Sequence, residues 1–340
     1  MFKPIFQLTP QLLTNLTTIE RLYGRLEALQ IPKKLELNLE RDNLVQSSYI
    51  SNSIEGNPLS LPEVTNLLLG DRVPVNRDEK EVKNYFNLLR TLSDKASEPF
   101  IIDMVLQLHQ ELLTGVDSEI AGKIRNKRVV IGGYRNVAGQ LKLKIKHEPP
   151  FHTKSLIKKH LSKLLAWVKT DAQTPPLLKA GIFHHQYVYL HPFADGNGRT
   201  CRLLTALTLL KYGYQINKYF VLDDYYDIDR SQYSDMLSSA DSGDKTKWLI
   251  YFTNGVKYSL QSALSRVDHA LKTITIEARP TKREQEVLAL LQKYPQLTSS
   301  DLVEEFNISR QQAHKLLIGL VDKGYAIKKG GTKNSFYVQK

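Results

Sequence analysis

The sequence is poor in sulfur and has no long apolar segment. Its 340 residues include one cysteine, Cys201, which excludes an intramolecular disulfide and any metal cluster built on several cysteines. No run of 18 apolar residues could form a transmembrane helix, and Pro4 and Pro10 interrupt the N-terminal stretch before a signal-peptide core can form. We therefore expect a cytoplasmic protein with no membrane partner.

The composition is typical of a soluble globular protein. Hydrophobic residues make up 41% of the chain and charged residues 24%. A chain of this length suggests about two domains and is long enough to bury a core. The 47 Lys and Arg against 35 Asp and Glu give a formal net charge of +12, an excess too common to indicate a partner by itself.

The residues suited to catalysis are concentrated in the segment 191–202, HPFADGNGRTCR. The preceding segment LLKAGIFHHQYVYL has apolar residues at helical spacing, so we expect His191 at the C-terminal end of a helix that faces a pocket. Its imidazole, with an ordinary pKa of about 6.5, is suited to act as a general base near neutral pH. Phe193 is expected to anchor the following loop.

The second half of this segment predicts a site for a phosphate group. Gly196 and Gly198 flank Asn197 and tolerate positive φ, so successive N–H groups can converge on phosphate oxygens. The sequence RTCRLLTALTLLKY predicts a helix that begins near Arg199, with its N-terminus facing the same anion. Arg199 and Arg202 would share a face of that helix and could grip different phosphates.

Asp195 precedes the glycines, and a carboxylate beside phosphates is the expected ligand for Mg²⁺. Cys201 lies between the two arginines, where we expect it to pack in the helix rather than act as a nucleophile. An alternative interpretation of the whole segment is a polar loop between helices, in which DGNG forms a turn and the arginines face solvent. That alternative accounts for the glycines alone.

The segment resembles the signature of the Fic family, H-x-F-x-(D/E)-G-N-G-R-x-x-R. Eight residues match it in register: His191, Phe193, Asp195, Gly196, Asn197, Gly198, Arg199 and Arg202. The resemblance implies a protein adenylyltransferase that moves AMP from ATP to a Ser, Thr or Tyr hydroxyl of a target protein or of itself. A related branch that transfers phosphate carries a lysine at the second glycine, so Gly198 favours AMP transfer.

The resemblance also implies a role for each residue of the segment. His191 would be the catalytic base and Asp195 the residue that binds Mg²⁺. The α- and β-phosphates of ATP would be held by Gly196, Asn197, Gly198 and Arg199. Arg202 would hold the γ-phosphate.

A second segment, SSYISNSIEGN, resembles the inhibitory (S/T)-x-x-x-E-(G/N) motif of the same family. The matching residues are Ser51, Glu55 and Gly56, and the motif would be N-terminal and act in cis. The alternative is an ordinary helix end in which Glu55-Gly56 forms the C-cap. If the motif is inhibitory, Glu55 should pair with Arg202 and occupy the guanidinium needed by the γ-phosphate.

Two further segments fit the family more loosely. Residues 128–150 follow Gly122-Lys-Ile-Arg125 and contain β-prone residues, a turn signal at Gly132-Gly133 and an alternating LKLKIK, which resembles the β-hairpin flap that covers the active site. A simple surface hairpin is the alternative. Tyr225-Tyr226 and Tyr233 resemble the region that packs against adenine, but Tyr233 is followed by serine instead of a second tyrosine, and aromatic core packing is the alternative.

The chain therefore predicts a mainly α fold with three parts. Residues 1–95 form an N-terminal helical region with the inhibitory motif, 96–275 a Fic helical core with a β-hairpin flap, and 279–340 a winged helix-turn-helix. The last part contains three amphipathic helices, with cap signals at Thr281, at Ser299 or Ser300, and at Ser309, followed by a hairpin. Ser309 to Lys323 would be the recognition helix and Lys328 to Lys333 the wing.

Residues 279–340 carry 11 Lys plus Arg and 6 Asp plus Glu, a net charge of +5 that favours phosphate backbones. Winged helices also serve as protein-interaction modules, so DNA contact and a homo-oligomer both stay open.

Three functions remain: an adenylyltransferase inhibited by Glu55, an enzyme that removes AMP or hydrolyses nucleotides, and a DNA-bound regulator that senses ATP. The presence of His191 argues against the third, because binding alone needs no base.

Overall fold

The computed structural model describes residues 2–70, 72–137, 140–216, 218–331 and 335–340. The described fold is mainly α, with two separate two-stranded antiparallel sheets. The chain divides into two compact units, Met1–Ser265 and Arg266–Lys340. None of the described helices is both long and apolar enough to cross a membrane.

The first unit is built from helices α1 to α11, a short 3-10 helix at Leu92–Ser97 and one β-hairpin. The helices are α1 Pro10–Ala28, α2 Lys33–Ile54, α3 Leu61–Leu69, α4 Arg77–Arg90, α5 Ile102–Leu112, α6 Lys154–Thr170, α7 Pro176–Leu190, α8 Asn197–Lys211, α9 Asp223–Ile228, α10 Arg230–Ser239 and α11 Thr246–Ala278. The helix α11 continues past Ser265 into the second unit.

The helices α7 and α8 lie at the centre of this unit. Almost every residue of both is buried, which agrees with their lack of a polar face. They pack against each other, and α8 is also contacted by α2, α4 and α5. The loop between α7 and α8 is therefore held on several sides.

The hairpin pairs β1, Ile131–Val137, with β2, Gln140–His147. The predicted turn at Gly132-Gly133 is wrong, because both glycines lie inside β1. The register shifts between Ile131 and Gly132, so this glycine marks an irregularity of the ladder, a common site for glycine in strands. The strands connect at residues 138–139, which lie outside the described residues.

The second unit contains α12 Lys282–Lys293, α13 Ser299–Phe306, α14 Arg310–Asp322, β3 Ala326–Lys329 and β4 Phe336–Gln339. Its core includes Leu291, Leu302, Leu317 and Tyr337. Residues 332 and 333 of the predicted wing, Lys328 to Lys333, lie outside the described residues.

Three capping boxes set the starts of these helices. Thr281 and Ser309 cap α12 and α14 as predicted. The prediction of Ser299 or Ser300 for α13 is wrong, because the N-cap is Thr298. Of the three residues, only Thr298 is followed three positions later by an acid, Asp301. The Asp301 carboxylate accepts the backbone N–H of Thr298 at 2.7 Å.

Candidate active site

His191 and Gly196 delimit the loop between α7 and α8. Both adopt left-handed backbone conformations, His191 with φ 45° and Gly196 with φ 72°. Gly196 is the N-cap of α8, so this helix begins at Asn197, two residues before the predicted start near Arg199. The first backbone bond of the helix runs from Thr200 N–H to Gly196 O, which leaves the N–H groups of residues 197–199 directed at the site.

Asn197 fastens this loop through its side chain. Its Oδ1 accepts the Phe193 N–H at 2.9 Å, and its Nδ2 donates to Phe193 O at 2.9 Å. Both ends of the amide bond the Phe193 backbone, so the backbone N–H of Asn197 is the group best placed to contact a phosphate. Phe193 is completely buried, as an anchor residue should be.

Arg125 holds the loop from the side of α7. Its Nε donates to His191 O at 2.6 Å and its Nη2 to Leu190 O at 3.2 Å. The Arg125 backbone N–H also donates to Pro192 O at 3.0 Å. These bonds satisfy the carbonyls that the end of α7 leaves free and fix the unusual backbone of His191.

His109 of α5 holds the other end of the loop. Its ring stacks on Phe193 with centroids 3.6 Å apart and a 4° angle between planes. The Nδ1 accepts the Gly122 N–H at 2.9 Å, which leaves Nε2–H to donate to Asp195 O at 3.0 Å. Glycine suits position 196 because of its positive φ, since a Cβ there would make an ordinary contact of 3.4 Å with His109 Nε2.

The His191 side chain is a neutral imidazole at physiological pH. Burial, followed by the positive charges of Arg125 and His147, lowers its pKa to about 4. Its Nδ1 is buried, and a backbone contact with Val188 partly opposes the lowering of the pKa. The neutral ring can accept a proton, although a lower pKa also makes it a weaker base.

Arg202 and Glu55 form the ion pair that the sequence predicts. The distance from Arg202 Nη2 to Glu55 Oε1 is 2.9 Å. Arg202 also donates from Nε to Ser51 Oγ at 2.6 Å and from Nη2 to Ser51 O at 2.7 Å. Burial is the largest effect and lowers the pKa of Arg202, but Glu55 together with Tyr233, Asp223 and Tyr85 outweighs it, so the pKa is raised and the guanidinium stays charged.

Glu55 also lies directly against the glycine loop. A Cβ placed on Gly198 would be 2.0 Å from Glu55 Oε1, a distance that no side chain could occupy. Glu55 is the C-cap of α2 and Gly56 follows it with φ 92°, so the helix-end interpretation also holds for this segment. A carboxylate thus occupies the position where the sequence places a phosphate.

Two side chains of α4, one of the loop and one of α8 form a ring of alternating charges. Arg77 lies 3.0 Å from Glu81 and 3.2 Å from Asp195. Arg199 lies 2.9 Å from Glu81 and 3.7 Å from Asp195. The predicted phosphate ligand and the predicted metal ligand are thus both neutralised by residues of the protein.

Residues 99–209 match the sequence model of the Fic/DOC family. The chain contains a Fic domain. It is 31% identical over 175 residues to protein adenylyltransferase fic-1 of Caenorhabditis briggsae, and 26% identical over 295 residues to protein adenylyltransferase Fic of Aedes aegypti. These matches cover 49% and 81% of this chain but only 32% and 54% of the two relatives.

Solved structures show the same fold. A crystal structure of a Fic family protein from Desulfovibrio desulfuricans G20 superimposes with a TM-score of 0.69 and 23% sequence identity. The superposition covers 100% of this chain and 98% of that one. Residues 191–202 are called the Fic motif below.

A cavity of about 380 Å³ opens beside the Fic motif. It lies between His191, the end of α2 at Ile54, the hairpin at His147, α10 at Tyr233, and Asp241 just after α10. Tyr233 is buried, stacks on Tyr226 with centroids 4.4 Å apart, and donates or accepts a 2.7 Å bond with His184. Tyr233 lines the cavity, and its contact with a nucleoside stays a prediction.

The tyrosines predicted beside it lie elsewhere. Tyr226 is completely buried in the core behind Tyr233, and Tyr225 packs on Tyr251 and Gly255. Neither residue lines the cavity. The aromatic-core alternative accounts for both.

The end of the hairpin is tied to the domain by His147. Its Nδ1–H donates to Asp241 Oδ2 at 2.8 Å, and its Nε2–H donates to Tyr189 O at 3.0 Å. Burial opposes protonation, but these two acceptors together raise the pKa of His147 above its ordinary value. Because neither acceptor can donate when Asp241 is ionised, the geometry requires a charged imidazolium.

Sequence reasoning missed most of the residues that surround the Fic motif. Arg77, Glu81, His109, His147 and Asp241 come from α4, α5, β2 and the loop after α10, and they match no short motif. Only Arg125 gave a signal, through its place in the segment before the hairpin. Among the described residues no group of three or more His, Cys, Asp or Glu side chains could bind a metal ion.

Proposed function

We propose that the chain is a protein adenylyltransferase whose activity is held down by Glu55. The observation that carries the proposal is the pairing of an anion site with a neutral base. The anion site is the start of α8, where the free N–H groups and Gly198 lie next to the Glu55 carboxylate, which Arg202 holds. His191 lies next to it and borders a cavity large enough for a nucleoside.

In the proposed reaction the hydroxyl oxygen of the target attacks the α-phosphorus of ATP. His191 takes the hydroxyl proton as the new P–O bond forms. The bond from the α-phosphorus to the oxygen bridging to the β-phosphate breaks, and pyrophosphate leaves with that electron pair. The N–H groups of residues 197–199 and the guanidinium of Arg199 stabilise the charge on the phosphates.

Asp195 suits the Mg²⁺ that accompanies ATP. Its side chain is 44% exposed and lies one residue before the phosphate site. Mg²⁺ prefers oxygen ligands and needs only one or two protein carboxylates when phosphates and water complete its shell. Its contribution would be to neutralise the charge on the polyphosphate.

The inhibition would act through position rather than complete exclusion. Glu55 occupies the guanidinium of Arg202 and the space over Gly198, so the γ-phosphate of ATP has no place to bind in a productive pose. Ser51 anchors the same guanidinium through two bonds. Arg230 fastens the end of α2 by donating to Ser53 O and Ser53 Oγ, each at 2.8 Å.

The test is incubation of the full chain and of Glu55→Gly with ATP labelled at the α- or the γ-phosphate, alone and with a cell lysate. The proposal expects protein-bound label from the α-position only, and more of it with Glu55→Gly. Label from the γ-position would indicate phosphate transfer. Release of labelled AMP without any labelled protein would favour the alternative, an enzyme that hydrolyses nucleotides or removes AMP.

A second function is favoured by the charges of the unit Arg266–Lys340. Exposed Arg310 and Lys315 lie on α14, and exposed Lys328 and Lys329 lie on β3. From residue 307 to the end, Asp322 is the one acidic residue. We propose that this face, the elements predicted as recognition helix and wing, binds the phosphate backbone of DNA.

A further inference from the structure

The two arginines of the charge ring differ in how firmly the protein holds them. The Arg199 side chain is 3% exposed and is bonded to Glu81, while the Arg77 side chain is 58% exposed. Arg77 stands in the first turn of α4 and reaches Asp195 with the end of its guanidinium. Of the two cations on Asp195, Arg77 is therefore the one that can move into solvent.

The two oxygens of Asp195 are also not equivalent. Oδ1 accepts the Gly196 N–H at 2.6 Å and faces Arg199. Oδ2 faces Arg77 at 3.2 Å. A metal ion that approached Asp195 from solvent would need Oδ2, because Oδ1 is used to shape the start of α8.

We propose that Arg77 is a positioning residue for Asp195, holding its Oδ2 as a counter-ion until a divalent cation takes that oxygen. This inference rests on the proposed function, in which Asp195 binds Mg²⁺. Arg77 Nε also lies 3.0 Å from Glu81 Oε1, and this second contact can keep the side chain at the rim of the site once it leaves Asp195. The ring thus keeps Asp195 oriented before the nucleotide binds and makes metal binding an exchange of one cation for another.

This contact is separate from the contact made by Glu55. Glu55 blocks the glycine and Arg202 end of the site, whereas Arg77 covers the carboxylate end. The two residues share no partner among the described hydrogen bonds and ion pairs. Their effects on metal binding should therefore add rather than depend on each other.

The experiment measures binding of Mn²⁺, a spectroscopic substitute for Mg²⁺, by electron paramagnetic resonance. The full chain carries Glu55→Gly and is mixed with an ATP analogue that has a methylene group between the α- and β-phosphates, so no AMP is transferred. Arg77→Ala should bind Mn²⁺ about two- to fivefold more tightly, the range expected for loss of an exposed ion pair. Arg77→Lys keeps the charge without the planar fork. Its Mn²⁺ affinity should lie between that of the chain with Arg77 and that of the chain with Arg77→Ala.

The matched control is Arg90→Ala. Arg90 is an exposed arginine on the same helix, about 20 Å further along its axis, and its removal changes the net charge equally. It should leave Mn²⁺ affinity unchanged. In an Asp195→Asn background, Arg77→Ala should also have no effect, because the carboxylate that it covers is gone.

Unchanged or weaker Mn²⁺ binding by Arg77→Ala would overturn the inference, and so would an equal gain from Arg90→Ala. Thermal melts show whether Arg77→Ala is folded, which its exposed position favours. Failure of the proposed function looks different: α-label would not transfer even though Mn²⁺ binds and responds to Arg77.

Discussion

Glu55 Oε1 lies 2.9 Å from Arg202 Nη2, although the two residues are 147 positions apart in the chain. The Arg202 side chain is almost fully buried and the Glu55 side chain about one third exposed. The pair therefore joins a fixed cation in α8 to a carboxylate at a helix end that can move. An anion with more charge and better geometry could displace such a partner.

Replacement of Glu55 by glycine should raise AMP transfer about 10- to 150-fold. The range follows from a hydrogen bond between charged groups worth about 1.5–3 kcal/mol, which ATP no longer has to break. Glu55→Gln keeps the shape without the charge and should activate less. Initial rates of α-label incorporation measure the gain, and rates equal to the wild type would contradict the inhibitory role.

Arg202→Ala is the companion to that experiment. It frees Glu55, but it also removes the group proposed to bind the γ-phosphate, so transfer should not rise. If Arg202→Ala were as active as Glu55→Gly, Arg202 would not be needed to bind the γ-phosphate, and the ion pair would act only by inhibiting transfer.

Asn197→Ala should lower both stability and transfer. Its amide makes two bonds to the buried backbone of Phe193, and the lost bonds should cost about 1–3 kcal/mol of unfolding free energy. Urea denaturation followed by circular dichroism measures the loss. If the Asn197 side chain instead served only to bind ATP, nucleotide affinity would fall while the unfolding free energy stayed the same.

The pH dependence of transfer should reflect the burial of His191. With a pKa lowered to about 4, the ring is deprotonated and able to act as a base at every pH well above 4. Titration of His191 should therefore leave kcat/KM of Glu55→Gly level from pH 8 to pH 5. Protonation of the ring should lower kcat/KM only as the pH approaches 4. A midpoint near 6.5, with the fold intact by circular dichroism, would contradict this environment for His191.

DNA binding by the second unit should depend on salt. Fluorescence anisotropy with a duplex of mixed sequence should show affinity that falls steeply between 50 and 200 mM salt, the behaviour expected from contacts to phosphates. The double substitution Lys328→Glu and Lys329→Glu should weaken binding and flatten the slope while α-label transfer continues. A DNA affinity that changes neither with salt nor with these substitutions would indicate that another surface binds the duplex.

The sequence was most informative where chemistry depends on neighbouring residues. The glycines, the arginines and His191 stand within one loop and helix start, and capping boxes identified the starts of α12 and α14 from local spacing. The pairing of Glu55 with Arg202 was also predicted, because each residue belongs to a recognisable segment. Local spacing failed at Gly132-Gly133, where the same glycines suit a strand irregularity as well as a turn.

The sequence could not predict how the motif is held in place. His109 and Arg125 contact backbone carbonyls 86 and 65 positions away, and Glu81 contacts the guanidinium groups of Arg77 and Arg199. Any buried histidine or arginine could make such contacts, so the residue type alone carries no signal. The use of the Asn197 side chain is a similar case, because an amide can bind either phosphate or backbone.

The most direct test of AMP transfer is the effect of His191→Ala in a Glu55→Gly chain supplied with α-labelled ATP and Mg²⁺. The proposed mechanism predicts that label incorporation falls by about 10²–10⁴-fold, the usual contribution of a general base. Binding of ATP, measured by calorimetry, should stay nearly unchanged, since the phosphates are held by α8. Label incorporation at the Glu55→Gly rate would contradict the mechanism, because the proton of the target hydroxyl would then have another acceptor.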